Sequence, residues 1–288
     1  MRATSRAEIE RILSDPSYEV PGVPEAPAGL GWLRATASRF VDGERHARRR
    51  ALVEAELAAL DPDALRSDAR ARTEAALSEA GERVDVMAAV ARSVPLATLA
   101  AALGIGDAEL GPAVADARLA GGAYLTGEGD AAVDAAVERL RAALPRSGPE
   151  ASAAAIAVLA QACEATAALI GNAFALAARE GGRADDVDGL LAQTLRRSSP
   201  IRVMKRVSPA GETVVLDLDA AGRASRAQDR PLAFGSGARP CPGEEQARAI
   251  AAGVLEPLLR RCEPAGGAVP FDDDPAVRRP ARLEAVVR

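Results

Sequence analysis

Cys241 stands in the stretch Phe234-Gly235-Ser236-Gly237-Ala238-Arg239-Pro240-Cys241-Pro242-Gly243, a glycine-bent loop that runs into a helical pattern over residues 244–261. A sulfur presented in this way suits a metal. The thiolate is the liganding form, and a loop wrapped round a helix start offers backbone N–H donors and the positive end of the helix dipole. A buried structural cysteine is the plainer alternative for such a residue. Elsewhere, His46 and Arg50 lie one helical turn apart, so both can face one anionic group. Gln161 and Glu164 are polar residues inside a long apolar run, placed there either for chemistry or to satisfy neighbouring loops.

The elements that must position these residues are mostly helices. Ser5-Arg6-Ala7-Glu8 has capping-box spacing, and Ile9, Ile12 and Leu13 make an apolar stripe that stops before Pro16. Residues 18–33 are rich in Pro and Gly and read as a long loop that holds Trp32 and could wall a pocket. Helical patterns are predicted at 43–60, 62–80, 84–103, 130–144, 149–180 and 186–197. Residues 213–218 alternate as a strand, and 222–230 read as loop before the cysteine motif. The prediction is a mainly α chain with a small β component, one domain over 1–288, and no repeat.

Composition narrows the function. The chain has 288 residues, net charge −5 from 36 basic and 41 acidic side chains, and 2% aromatics, so stacking on nucleic acid is not expected. Cys163, Cys241 and Cys262 are spaced too unevenly for a disulfide framework, which points to a reduced, cytoplasmic protein. The first residues are polar and charged, with no signal-peptide core. The apolar run 153–178 carries Gln161, Glu164 and Asn172, so it reads as a buried central helix and not as a membrane span.

The Cys241 loop resembles the haem-ligand signature Phe-Gly-x-Gly-x-Arg-x-Cys-x-Gly of the cytochrome P-450 (haem-thiolate) family. The resemblance implies haem b with Cys241 as axial iron ligand, and Phe234, Gly235, Gly237, Arg239 and Gly243 as the supporting loop. Gly235 and Gly237 would let the backbone pass close under a flat macrocycle. Pro242 has no N–H, which removes one donor from the sulfur. His46 and Arg50, in Gly43-Glu44-Arg45-His46-Ala47-Arg48-Arg49-Arg50, resemble the family's propionate contacts, and Arg206 and Arg239 match further ones. The run around Glu164 resembles the helix that crosses the distal face of the haem, with Glu164, Gln161 and Thr166 as its catalytic positions.

The likeness also marks departures. Ala165 stands where the family places a Thr directly after the acid; Thr166 lies about 100° further round a helix. Gln161, one turn before Ala165, could fill the space vacated there. The family's Glu-x-x-Arg pair appears as Gln193-Thr194-Leu195-Arg196, an expected hydrogen bond in place of an ion pair. The segment between Arg206 and Phe234 is short, and the family's N-terminal sheet and first helix are missing, so the resemblance is to a truncated cytochrome P-450-like fold.

What the resemblance implies is a monooxygenase-type oxidoreductase acting on a small organic molecule, in keeping with secondary metabolism. Its alternatives are a peroxide-driven or non-oxidative haem-thiolate enzyme, or a degenerate haem-binding sensor. Ordinary turnover would need a ferredoxin and its reductase, for which Arg45, Arg48 and Arg49 offer a basic face. Expected substrate contacts are Trp32, Ala157, Ala160, Ala165, Arg202 and Val203, with Arg202 able to pair with a carboxylate.

Overall fold

The computed structural model describes residues 1–180, 186–224 and 229–288. Helix α1 (Arg6–Ser14) follows the short strand β1 (Arg2–Ala3), and its cap is as the sequence predicts: the Ser5 hydroxyl accepts from the Glu8 N–H at 3.3 Å. Then come α2 (Gly29–Thr36), α3 (Gly43–Ala58) and α4 (Pro62–Glu79), the last started by Asp61 and by a proline at a position whose N–H needs no partner. Strand β2 (Arg83–Asp85), α5 (Val94–Ala102), α6 (Asp107–Tyr124) and α7 (Ala131–Ala143) lead to α8 (Pro149–Glu180), 32 residues long. After α9 (Val187–Arg197) the chain forms β3 (Val203–Val207), β4 (Thr213–Asp217) and α10 (Leu218–Arg223). It ends with α11 (Glu244–Arg261), β5 (Cys262–Pro264) and β6 (Glu284–Val287).

Helix α8 is the axis of the larger apolar core. Its side chains from 152 to 177 are buried except at 161, 162, 164 and 165, while Leu33, Val53, Leu99, Tyr124 and Leu255 close round it from other helices. A helix this long and apolar has the dimensions of a membrane span, but 78% of its most apolar window is covered by the protein's own elements. A smaller apolar cluster joins Ile9, Ile12 and Leu13 of α1 to Val214 and Leu216 of β4. There β1 pairs with β4 in parallel (Ala3 with Leu216), and β3 pairs antiparallel (Arg206 with Val214). The second sheet has the order β2-β6-β5, all antiparallel.

Three local expectations are corrected. Residues 84–103 are not one helix, because 83–85 pair with β6 and the Val86 N–H donates to the Leu283 carbonyl at 2.8 Å. A π-helical turn (Met87–Ala91) then separates this strand from α5, which carries Pro95 in its first turn. The supposed loop 18–33 ends early: α2 begins at Gly29, whose N–H donates to Glu138 of α7 at 2.9 Å, as the Leu30 N–H does to Asp134. The expected loop 222–230 is helical to Arg223, and residues 225–228 lie outside the described residues.

Candidate functional site

Cys241 sits three residues before α11, on a loop tied at both ends. Its N–H donates to the Phe234 carbonyl at 2.6 Å, closing the loop on itself, and the Gln246 amide pins the start of α11 to the Leu57 carbonyl of α3 at 3.1 Å. Gly235 and Gly237 have φ of 71° and 67°, a region that costs other residues strain. The close approach made by Gly237 is to protein. A Cβ there would strike the Leu13 carbonyl at the end of α1, and the Ala238 N–H donates to that same carbonyl at 3.4 Å. The glycine serves the seam between loop and α1, a correction to the expectation that a macrocycle demands it.

The thiol of Cys241 is free and partly accessible. Burial pushes it up; a hydrogen bond from the Gly243 N–H and the charge of Arg50 pull the other way. The donor beyond Pro242 is thus present in Gly243.

Four predicted cations converge on this loop from separate parts of the chain. Arg50 of α3 donates to the Pro240 carbonyl at 2.8 Å and pairs with Glu54 at 2.7 Å. Arg239 donates to Asp42 at 2.7 Å and to the Val41 carbonyl. Arg206 lies on β3 with Met204, which reaches the same loop at Gly235, while the intervening Lys205 points out. Burial, followed by Arg239 and Arg39, pushes the Arg206 guanidinium down to about 10. His46 is held below the usual imidazole range by burial, then by Arg239 and Arg50. Burial is the largest common cause and repulsion among the cations adds to it, while the nearby carboxylates are already engaged: Asp42 with Arg239, Glu54 with Arg50, Glu244 with Arg230. Such a cluster is built for a further anion.

Sequence reasoning missed Arg39 and Asp42. Arg39 is exposed, and its electrostatic neighbours are Tyr124, Cys241, Arg206 and Arg239. Neither residue carries a periodic signal; the one-turn helix Ser38–Phe40 and the loop before α3 bring them in.

Between residues 152 and 177, α8 opens only at Gln161, Ala162, Glu164 and Ala165, which occupy one face of the helix. The expected distal register therefore coincides with the gap in an otherwise buried helix. Thr166 is buried at 3% exposure, off that face, and does not replace the missing alcohol. Ala157 and Ala160 are packed in the core at 1% and 3%, so they do not reach the open face as expected. The Gln161 amide donates back to the Ala157 carbonyl at 3.2 Å. Glu164 pairs with Arg279, which is itself held by Asp272.

Other expected contacts are also reassigned. Trp32 lies in α2, buried, with the Arg141 guanidinium 4.5 Å over its ring. Arg202 donates to the Asp274 carbonyl at 3.3 Å, and Val203 opens β3 as a ladder residue opposite Asp217. Gln193 bonds Glu180 at 2.9 Å and not Arg196, because Glu180 at the end of α8 offers a charged acceptor to Gln193 and Arg197 together. Arg45, Arg48 and Arg49 do not form a free basic face: Arg45 pairs with Glu25, and Arg48 and Arg49 both hold Glu150, with Arg49 buried. Phe234 is buried beneath the Arg248 guanidinium at 5.7 Å.

No protein-family model matches the sequence, and no curated protein matches it. The structure is more telling. The chain has the cytochrome P-450 fold. It superposes on cytochrome P-450 BioI, solved in complex with an acyl carrier protein bearing hexadec-9Z-enoic acid, with TM-score 0.82 at 19% identity, over 100% of this chain and 92% of that one. The enzyme CxnD, for C–S bond formation in chuangxinmycin biosynthesis, gives TM-score 0.78 at 19% identity, over 99% and 87%. CYP164A2 of Mycobacterium smegmatis gives 0.75 at 21%, over 99% and 90%. At 288 residues this chain is shorter than is typical of the fold.

Proposed function

We propose that the protein is a haem-thiolate oxidoreductase that oxidises a small organic molecule, with Cys241 as axial ligand to the iron of haem b. The observation that carries this reading is the convergence of the Cys241 loop with His46, Arg50, Arg206 and Arg239 around engaged carboxylates. The two propionates of a haem would give these cations further anionic partners. When bound, the iron would supply oxygen or peroxide activation.

In this reading Cys241 binds the metal through a sulfur already hydrogen-bonded by Gly243. Arg239 and Arg206, from the loop and the sheet, and His46 and Arg50, from α3, would hold the propionates of the haem. The open face of α8 presents Gln161 and Ala165 to the substrate side. Electrons come from a ferredoxin and its reductase, docked elsewhere than on Arg48 and Arg49, whose charges are used internally. Three free thiols suit a reducing compartment such as the cytoplasm. A role in secondary metabolism is supported by a fold neighbour named for chuangxinmycin biosynthesis.

A second reading has its own observation. Ala165 replaces the alcohol, Thr166 is turned into the core, and Glu164 is tied to Arg279, so the open face of α8 lacks a free acid–alcohol pair. That favours a peroxide-driven or non-oxidative enzyme, or a haem-binding sensor, over oxygen activation fed by a reductase. The test is the absorption spectrum of reduced, CO-treated protein, with Cys241→Ala beside it. Lack of a haem-thiolate Soret band in the wild type rejects both readings. With the band present, turnover on peroxide but not on a ferredoxin supply selects the peroxide-driven enzyme, and silence under both selects the sensor or a non-oxidative enzyme.

A further inference from the structure

Pro21, Pro24 and Pro27 recur every third residue in the stretch Val20-Pro21-Gly22-Val23-Pro24-Glu25-Ala26-Pro27, which runs from the bridge between Glu19 and Val207 to the start of α2. Each proline fixes its own φ at about −65°, and each keeps the residue before it, Val20, Val23 or Ala26, in the extended region. No positive φ occurs in the stretch, at Gly22 or elsewhere. The N–H groups of Gly22, Val23, Glu25 and Ala26 donate to no described residue, as befits a polyproline II helix, whose backbone is left to water.

Exposure follows the same period of three. Val20, Val23 and Ala26 are half-buried, while Pro21, Pro24 and Pro27 are exposed. The inner edge is fixed at both ends: the Val20 N–H donates to Asp42 at 3.0 Å, and Ala26 lies so near α2 that a Cβ on Gly31 would meet its own at 2.7 Å. Arg45 of α3 pairs with Glu25 at 3.3 Å and steadies the outer side. The result is a ridge about 20 Å long, seated along one edge and bare along its prolines.

A preformed ridge of this kind loses little entropy on binding, and what recognises it is a groove walled by aromatic rings. A second copy of this chain does not offer one. Phe271 is the only exposed aromatic side chain; Trp32, Tyr124, Phe174 and Phe234 are buried, and Tyr18 and Phe40 are half-buried. The exposed charges on the ridge and at its entry, Glu25 and Glu19, are both acidic, and Glu25 is 79% exposed with only one oxygen engaged by Arg45. A matching groove therefore has a basic rim.

We propose that residues 20–27 are a docking ridge for a partner protein that carries an aromatic-lined groove with a basic rim. No residue of the ridge belongs to the Cys241 site, so the inference does not depend on the haem assignment.

The full chain is titrated against immobilised SH3, WW and EVH1 domains, a panel of proline-recognising folds that includes grooves with basic and with acidic rims. At least one basic-rimmed domain is expected to bind saturably. Replacing Pro21 and Pro24 together (Pro21→Ala, Pro24→Ala) should weaken that binding about tenfold or more, and Glu25→Lys should weaken it severalfold and reduce its dependence on salt. Pro112→Ala, at an exposed proline of α6, should leave it unchanged. Tm and haem content per chain are read for every variant, and Pro24→Ala alone serves if the double change lowers Tm. Loss of binding at unchanged Tm supports the proposal. Failure of every domain to bind overturns it, as does binding that survives the proline changes or that falls equally with Pro112→Ala.

Discussion

Glu164, in the middle of α8, is ion-paired with Arg279 in the segment leading to β6, and Arg279 is clamped from its other side by Asp272. The acid at the open face of the longest helix is thereby committed to structure. Arg279→Ala leaves a half-buried carboxylate unpaired and is expected to cost about 1–3 kcal/mol, read as a lower urea midpoint. The double variant Glu164→Gln, Arg279→Met should recover most of that loss, since removing both charges removes the desolvation problem. A double variant no more stable than Arg279→Ala would show that the pair is not the cause.

Glu150 anchors Arg48 and Arg49 of α3 to the start of α8. Its carboxyl is held down at about 2 by the Arg48 hydrogen bond first and by Arg49, against burial that acts the other way. A carboxyl with a lowered folded pKa stabilises the fold fully above its unfolded value, and that gain disappears as pH falls toward the folded one. The fold should lose about 1 kcal/mol between roughly pH 4.5 and 2 from this group, after allowing for solvent screening. Glu150→Gln should flatten that part of a stability-against-pH curve.

Arg206 is expected to act in opposite directions on stability and cofactor retention. It lies among Arg239 and Arg39, so Arg206→Gln relieves repulsion in the haem-free chain and should leave Tm unchanged or raised. The same change removes a propionate partner, so haem should dissociate about tenfold faster to a competing apo-globin. A lowered Tm in the haem-free chain would contradict the repulsion argument.

Gly237→Ala places a side chain at φ 67° and against the Leu13 carbonyl. A cost of about 1–2 kcal/mol is expected from the backbone alone, with more from the collision. Haem content should fall with it, because the Cys241 loop loses its seat on α1. Retention of full haem content and stability would show that the loop can be seated otherwise.

The residues legible in the sequence were those that a local rule brings together. His46 and Arg50 are one turn apart, Ser5 caps its own helix, and the glycines of the Cys241 loop announce a bend. The open face of α8 also followed, because Gln161 and Ala165 share a helical face. What escaped depends on distant partners. The Val84 segment reads as helix until β6 pairs with it, and α6 was hidden by Pro112 and by Gly121, which is a glycine because a Cβ there would meet Cys163 of α8. Arg39 has no motif of its own and acquires its neighbours only when the turn before α3 packs under α6. Arg48 and Arg49 looked like a docking face because Glu150, their partner, is a hundred residues away in sequence.

The seat of the Cys241 loop on the end of α1 joins stretches that lie most of the chain apart, as do the bonds from Arg239 to Asp42 and from Arg50 to Pro240. Contacts of such high separation form late in folding, after local helices are already in place. Cys241 and the cations around it are therefore brought together in the closing stage, when the first helix and the last helix meet. Until then a nascent chain carries Cys241 on an unclosed loop, and the site proposed for the haem exists only once these two stretches of the polypeptide have met.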